Sequence, residues 1–183
     1  MRKFGLIGYP LTHSFSKKYF SAKFEKEAIW NCQFDLYEIP QIGDFEQVLT
    51  ENPELEGMSV TIPYKQEVIP FLDELDPACE LIGAVNCIRL RDGKRKGFNT
   101  DYIGFKNSLR SWLGNEIPRA LVLGTGGASK AVKVALRDLG VSFLVVSRTK
   151  QENQITYDDL KNNPDFLINF PLIINTTPLG TFP

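Results

Sequence analysis

The residues with the clearest chemical potential form a glycine-rich run, Gly124-Thr125-Gly126-Gly127-Ala128-Ser129. An apolar, strand-like segment precedes this run, and a helix-like segment rich in alanine, valine and leucine follows it. Glycines between a strand and a helix allow backbone N–H groups and the helix N-terminus to approach a pyrophosphate. The sequence therefore predicts a nucleotide site here, and a tight strand–turn–helix without a ligand is the alternative. The predicted contacts are Gly124, Gly126, Gly127 and Ala128.

The end of the next strand indicates which nucleotide would bind. The strand runs into Ser147, Arg148 and Thr149, at the place where NAD-binding domains usually carry an acidic residue for the ribose hydroxyls. A guanidinium can bind a 2′-phosphate that an acid would repel. This strand end therefore favours NADP(H) over NAD, with a solvated surface arginine as the alternative. The missing acid also counts against an S-adenosylmethionine site, and so against a methyltransferase.

Four short polar motifs precede the glycine-rich run. Two serines at i and i+2, beside helix N–H groups, suit a carboxylate ligand, although Ser14 alone is also a common helix cap. Strand alternation places Ser59 and Thr61 on one face, and Pro63 is expected to begin a helix whose first turn carries Lys65. Asp101 stands at a predicted helix start, where capping is its alternative role. The motifs are Ser14 and Ser16, residues 59–65, residues 83–86, and residues 97–101.

Strand-like and helix-like segments alternate along the chain, which predicts an α/β fold. We expect an open α/β substrate domain with a mostly parallel sheet over residues 1–101, and a Rossmann-type NADP-binding domain over residues 102–183. A βαβαβ unit normally continues into a covering helix, so the second domain is expected to be incomplete at its C-terminus. The predicted strands are 3–8, 32–39, 55–62, 120–123, 142–147 and 172–175, with a hairpin over 85–98 that turns at Asp92-Gly93. The predicted helices are 15–29, 44–50, 79–83, 101–113, 127–139 and 157–161.

Composition narrows the class of protein. The chain has 183 residues, a hydrophobic content of 43% and a net charge of −1, so no overall field draws it to nucleic acid or to an anionic membrane. The basic residues at 89–96 favour a solvated hairpin tip, with a nucleic-acid patch as the alternative. Three cysteines without CxxC spacing and one histidine make no convincing metal site. We expect a cytoplasmic monomer or homodimer that binds a small molecule, without metal, membrane or nucleic acid.

Taken together, the motifs resemble the shikimate dehydrogenase family, and they occur in the order in which that family carries them. The resemblance covers essentially the whole chain. Four positions depart from the family pattern, since Ser59 replaces Asn, Cys87 replaces Thr, Lys17 replaces Pro and Ser147 replaces Asn. The family also carries a further C-terminal stretch with a substrate-contacting Gln, which this chain is expected to lack. The matching positions are Ser14, Ser16 and residues 60–65, 83–86, 97–101, 124–128, 147–149 and 175–180.

The resemblance implies an oxidoreductase that reversibly reduces 3-dehydroshikimate to shikimate with NADPH, on the route to chorismate and the aromatic amino acids. It implies that Lys65 gives and takes the proton while Asp101 holds the reacting hydroxyl. The alternatives are a quinate/shikimate dehydrogenase that uses NAD or NADP, and a catalytically impaired substrate-binding fragment. The implied substrate contacts are Ser14, Ser16, Ser59, Thr61 and Asn86. The implied NADP(H) contacts are Gly124, Gly126, Gly127, Ala128, Ser147, Arg148, Thr149 and Thr177.

Overall fold

The computed structural model describes residues 1–180, which separate into two units between Thr100 and Asp101. Each unit is built around a sheet of its own. The last three residues of the predicted second domain lie outside the described residues.

A six-stranded sheet organises the first unit, in the order β2-β1-β3-β5-β6-β4. Strand β1 pairs in parallel with β2 and β3, and β4 pairs in parallel with β6, whereas β5 runs antiparallel to both β3 and β6. The prediction of an open, mostly parallel α/β sheet is therefore confirmed. The elements are β1 (Arg2–Gly8), α1 (Ser16–Lys26), β2 (Cys32–Glu38), α2 (Phe45–Glu51), β3 (Leu55–Val60), β4 (Glu74–Leu75), α3 (Pro77–Ile82), β5 (Cys87–Arg91) and β6 (Lys94–Phe98).

The main core of this unit lies on one face of the sheet. Ile7 of β1 and Val60 of β3 pack against Phe45 of α2 and Cys79 of α3, and all four are buried. Burying an aliphatic or aromatic side chain of this size contributes about 1.5–3 kcal/mol to stability relative to exposure. Alternate residues of each strand point to this face, which explains the period-2 pattern of the sequence.

Helix α1 covers part of the opposite face with aromatic side chains. Phe20 stacks on Phe34 of β2 with ring centroids 4.5 Å apart, and Phe24 joins the same cluster. The helix ends three residues before its predicted end, at Lys26, because Ala28 adopts a left-handed φ of 54° and the chain closes in a Schellman-type turn.

The helix predicted to begin at Pro63 is wrong, since the segment forms consecutive turns. The Lys65 carbonyl accepts a hydrogen bond from the N–H of Val85 at 2.7 Å, and the N–H of Ile69 donates to Gln66 at 3.2 Å. A helix would need the Lys65 carbonyl to accept from Ile69. A long-range hydrogen bond has therefore taken the place of a helical one.

The β5–β6 hairpin turns at Asp92-Gly93, as predicted, with both residues at positive φ. The guanidinium of Arg95 pairs with Glu46, and Lys94 lies 2.9 Å from Glu74. These basic side chains therefore face carboxylates of the same chain, which weakens the nucleic-acid alternative.

The second unit contains a four-stranded parallel sheet in the order β10-β7-β8-β9. This arrangement confirms the Rossmann-type prediction. The sequence analysis missed β9 and α7 here and β4 in the first unit, all of which span five residues or fewer. The elements are α4 (Thr100–Leu113), β7 (Ala120–Leu123), α5 (Gly127–Asp138), β8 (Phe143–Ser147), β9 (Gln154–Thr156), α6 (Tyr157–Asn162), α7 (Asp165–Asn169) and β10 (Leu172–Asn175).

Helix α5 packs its apolar side on this sheet and also contacts α4 through polar groups. Leu136 and Val122 are fully buried in one core cluster. The Tyr102 hydroxyl donates to Asp138, and Lys106 Nζ lies 2.7 Å from the same carboxylate. The hydrogen bond from Lys106 lowers the pKa of Asp138. Across residues 1–180, no helix has the length and apolar character needed to cross a membrane.

Burial raises the pKa of the Cys79 thiol from 9.0 to about 11, so the fold favours the neutral thiol. The resulting stabilisation is complete below pH 9 and is lost as the pH rises towards 11. We expect the free energy of unfolding of the unchanged chain to fall more steeply over this range than that of Cys79→Ala, as measured by urea denaturation. Cys32→Ala, at a half-exposed thiol, is the matched control and should keep the steep fall. Parallel curves for the unchanged chain and Cys79→Ala would contradict the assignment.

Candidate functional site

The carboxyl ends of β1 and β3 form a polar edge in the first unit. The chain passes from β1 to β2 on one side and returns to β3 on the other, so the strand order reverses between β1 and β3. Ligands of open α/β sheets bind in the crevice outside such a reversal. The predicted residues Ser14, Ser16 and Thr61 lie in segments that leave these two strand ends.

The segment after β3 is held directly against the end of β1. The N–H of Thr61 donates to the Ile7 carbonyl at 3.0 Å, and the N–H of Tyr9 donates to Ile62 at 3.1 Å. A Cβ on Gly8 would lie 2.4 Å from Thr61 Cγ2, so only glycine permits this approach. The Thr61 hydroxyl has no hydrogen-bond partner among residues 1–180, which leaves it available to a ligand.

The two serines lie at the entry to α1. Ser14 Oγ accepts a hydrogen bond from the Ser16 N–H at 3.3 Å, and Ser16 is the first residue of the helix. This contact is close to the capping role that the sequence left open for Ser14. Glu38 at the end of β2 accepts from the Leu11 N–H at 3.0 Å and so fixes the loop. Both serine side chains stay half-exposed at the helix N-terminus.

Backbone hydrogen bonds bring the segments that carry Thr61, Lys65 and Asn86 to the same edge. The Asn86 carbonyl accepts from the Val60 N–H at 2.8 Å, one residue before Thr61. The Lys65 carbonyl accepts from Val85, one residue before Asn86. Lys65 is half-buried in the turn that replaces the predicted helix.

Asp101 lies one residue inside α4, so it is not the residue that precedes the helix. Its neighbour Thr100 donates its N–H to Asn86 Oδ1 at 2.8 Å. Sequence reasoning gave Thr100 and Asn99 no role. Asn99 is buried, and its side-chain amide donates to the Ala84 carbonyl at 3.0 Å, a contact between segments that no local pattern signals.

Ser59 and Cys87, two departures from the family pattern, face each other across β3 and β5 in the sheet register. Both side chains are half-buried. Burial raises the pKa of the Cys87 thiol, which favours its neutral form.

A second polar edge lies at the carboxyl ends of β7 and β10, where the strand order of the second unit reverses. Gly124 adopts a φ of 106°, and its N–H donates to Val146 at 2.9 Å. The glycine run continues into Gly126, which caps α5, and Gly127, which begins it. A Cβ on either of these two glycines would meet no atom within 4 Å.

The end of β8 presents an arginine beside this edge. Ser147 is buried, and its hydroxyl accepts from the Thr149 N–H at 3.3 Å, which closes a tight turn. Arg148 at the centre of the turn is exposed and has no hydrogen-bond or ion-pair partner within the described part of the chain. At the end of β10, Thr177 donates both its N–H and its hydroxyl to Asn175 Oδ1, at 2.9 and 2.7 Å.

Comparison with known proteins shows which family the chain belongs to. Residues 6–88 match the family described as the shikimate dehydrogenase substrate binding domain. The shikimate dehydrogenase (NADP(+)) of Methanosphaera stadtmanae is 35% identical over 98% of this chain and 69% of its own length. The chain belongs to the shikimate dehydrogenase family. The resemblance that the motifs predicted is therefore confirmed.

Two further proteins support this membership. The shikimate dehydrogenase (NADP(+)) of Syntrophomonas wolfei is 39% identical over 98% of this chain and 67% of its own length. The crystal structure of shikimate 5-dehydrogenase from Thermus thermophilus, in complex with NADP(H) and shikimate, superposes with a TM-score of 0.82 at 29% identity. That match covers 98% of this chain and 70% of the crystallised one.

The left-handed conformation of Gly124 predicts a stability difference between two glycines of the same loop. In Gly124→Ala, the new Cβ would lie 3.0 Å from both Thr176 Oγ1 and Thr177 Cγ2, in a strained backbone conformation. We expect this change to lower the free energy of unfolding by about 1–3 kcal/mol. Gly126→Ala is the matched control, because Gly126 has an ordinary φ of −71° and open space around it. Urea denaturation measures both, and equal losses would contradict the role given to Gly124.

Proposed function

We propose that this chain catalyses the reversible NADPH-dependent reduction of 3-dehydroshikimate to shikimate. The observation that carries the proposal is the convergence of Thr61, Lys65 and Asn86 at one reversal of strand order, in a chain of the shikimate dehydrogenase family. Its relatives are named shikimate dehydrogenase (NADP(+)). The reaction belongs to the route towards chorismate and the aromatic amino acids.

The edge at β7 and β10 suits NADP(H). Gly126 and Gly127 leave open space where other residues would carry a side chain, at the start of a twelve-residue helix whose N–H groups and dipole favour a pyrophosphate. Ser129 in the first turn is fully buried, and its hydroxyl has no partner among residues 1–180. Arg148, which has no hydrogen-bond or ion-pair partner among residues 1–180, suits a 2′-phosphate. The residues proposed to hold the cofactor are Gly124, Gly126, Gly127, Ala128, Ser147, Arg148, Thr149 and Thr177.

The edge at β1 and β3 suits a hydroxylated ring that carries a carboxylate. Ser14 and Ser16 offer hydroxyls beside the N-terminus of α1, where the helix dipole favours negative charge. Thr61 and Asn86 are proposed to bind the ring hydroxyls, and Ser59 to add a shorter contact. A site that hydrogen-bonds hydroxyls rejects analogues that lack them, because its polar groups would be left unpaired.

The protein itself must align the reactants and manage one proton. When bound, NADPH supplies the hydride that reduces the ketone carbon. Lys65 is proposed to give a proton to the ketone oxygen and to recover it from the hydroxyl in the reverse direction. Asp101 is proposed to hold that hydroxyl by a hydrogen bond.

The role of Lys65 predicts a large effect on turnover and a small one on binding. We expect Lys65→Ala to lower kcat by about 10²–10⁴-fold, the usual contribution of a positioned acid–base group, with a smaller change in KM for shikimate. The measurement is the appearance of NADPH from shikimate and NADP⁺. Lys18→Ala, at an exposed lysine of α1, is the control and should keep the original rate. The proposal fails if the unchanged chain forms no NADPH, and the role of Lys65 fails if the variant keeps its rate.

The cofactor preference depends on Arg148. A hydrogen bond to a charged group contributes about 1.5–3 kcal/mol, so Arg148→Ala should raise the Kd for NADP⁺ by about 10–100-fold and leave the weaker binding of NAD⁺ unchanged. Titration calorimetry with the two dinucleotides measures this, and Arg110→Ala at an exposed residue of α4 is the matched control. Equal losses for NADP⁺ and NAD⁺ would remove the 2′-phosphate assignment and favour the alternative of dual cofactor use.

We also propose that the protein acts in the cytoplasm. Its three cysteines, Cys32, Cys79 and Cys87, are all free thiols, as expected in a reducing compartment. A monomer or homodimer remains the prediction for the oligomeric state.

A further inference from the structure

Side chains extend the β5–β6 hairpin beyond its last strand pair. The final backbone contact is the Asn86 N–H, which donates to the Phe98 carbonyl at 3.0 Å. Beyond it, Asn86 Oδ1 accepts from the Thr100 N–H at 2.8 Å, and Asn86 Nδ2 donates to Thr100 Oγ1 at 3.0 Å. In the other direction, Asn99 Nδ2 donates to the Ala84 carbonyl at 3.0 Å. We call Asn86, Asn99 and Thr100 the asparagine brace.

The brace is fixed to the polar edge of the first unit at its other end. The Asn86 carbonyl accepts from Val60 at the end of β3, so the residue that bonds Thr100 is itself held by the sheet. Asn99 is buried, and its amide cannot exchange this bond for water without cost. The position of Thr100 is therefore coupled to the segments that carry Thr61 and Asn86, which follow β3 and precede β5.

Thr100 is the first residue of α4, and its N–H is one of the donors that a helix leaves unpaired at its N-terminus. Asn86, fourteen residues away in sequence, supplies the acceptor. Thr100 and Asp101 are both exposed, so close packing does not hold this turn. The hydrogen bonds between Asn86 and Thr100 therefore contribute to positioning the backbone that carries Asp101.

We propose that Thr100 is a positioning residue, whose bonds to Asn86 set the place of Asp101 for the reaction. This inference rests on the proposed function for its kinetic consequence. The Thr100 hydroxyl does not touch the substrate in this role. It keeps the Asn86 amide turned towards the start of α4, and a displacement of about 1 Å in a reacting group can cost 10²-fold in rate.

The test compares Thr100→Val, which removes the hydroxyl at nearly constant shape, with Thr100→Ser, which retains it. We expect Thr100→Val to lower kcat for shikimate oxidation by about tenfold, with KM for NADP⁺ unchanged, and Thr100→Ser to stay within about twofold of the original rate. Thr50→Val is the matched control, because it removes another exposed threonine hydroxyl that makes a hydrogen bond within the chain, and it should leave kcat unchanged. Original rates in Thr100→Val, or an equal loss in Thr100→Ser, would overturn the proposal.

A double-mutant cycle shows whether Thr100 acts through Asp101. In the Asp101→Asn background, Thr100→Val should lower kcat by less than about twofold, because the group it positions has already been removed. The same tenfold loss in both backgrounds would mean that Thr100 acts elsewhere and would overturn the proposal.

Amide hydrogen exchange tests the placement without turnover. Thr100→Val should speed exchange of the amide of residue 100, whose N–H donates to Asn86 Oδ1, by about tenfold or more, while the amides of α5 stay unchanged. If the unchanged chain does not oxidise shikimate, the proposed function fails. The exchange result then tests by itself whether Thr100 positions the start of α4, and unchanged exchange would refute that role.

Discussion

In each of the two sheets, a glycine at a strand end allows a close approach by the segment that leaves a neighbouring strand. A Cβ on Gly8 would lie 2.4 Å from Thr61 Cγ2, and one on Gly124 would lie 3.0 Å from Thr176 Oγ1. In the first unit the segment that follows β3 crosses the end of β1, and in the second unit the segment that follows β10 crosses the end of β7. The threonine N–H then donates to the carbonyl of the residue before the glycine, at 3.0 Å in the first unit and 2.9 Å in the second. The two glycines therefore leave room for these crossings at the polar edges.

The threonine hydroxyls of the two crossings differ in their hydrogen bonds. The difference agrees with the proposal that the first edge binds the substrate and the second binds the cofactor. The Thr176 hydroxyl donates to the Leu123 carbonyl at 2.6 Å and strengthens the crossing. The Thr61 hydroxyl has no such partner within residues 1–180, so the backbone alone holds this crossing. The first edge keeps a hydroxyl for a ligand, whereas the second offers N–H groups and an arginine. A hydroxylated ring suits the first edge and a phosphate suits the second.

Local patterns predicted most elements of both sheets, because alternation, helical spacing and turn residues are local signals. Asp92-Gly93 correctly predicted the turn of the hairpin, and the glycine run correctly predicted the first residue of α5. The failure after Pro63 has a non-local cause, since the partner of the Lys65 carbonyl is Val85, twenty residues away. Site residues could be named only as members of an ordered motif set. The contacts of these residues could not be predicted. The asparagine brace in particular has no local signal, because the partners of Asn99 and Asn86 come from separate segments of the chain.

The motif resemblance implies Asn at the position of Ser59 and Thr at the position of Cys87, and these two departures are better understood as one change than as two. They lie opposite each other in the register of β3 and β5, where the Cβ atoms of facing residues are about 4.5–5.5 Å apart. Serine in place of asparagine shortens a polar side chain, and cysteine in place of threonine removes a hydroxyl. Both substitutions lower the hydrogen-bonding capacity of one half-buried patch, in which burial raises the pKa of the Cys87 thiol. The effects of substitutions at neighbouring residues are not additive. Ser59→Asn alone would therefore place an asparagine opposite Cys87, which forms weaker hydrogen bonds than the threonine that the resemblance implies there.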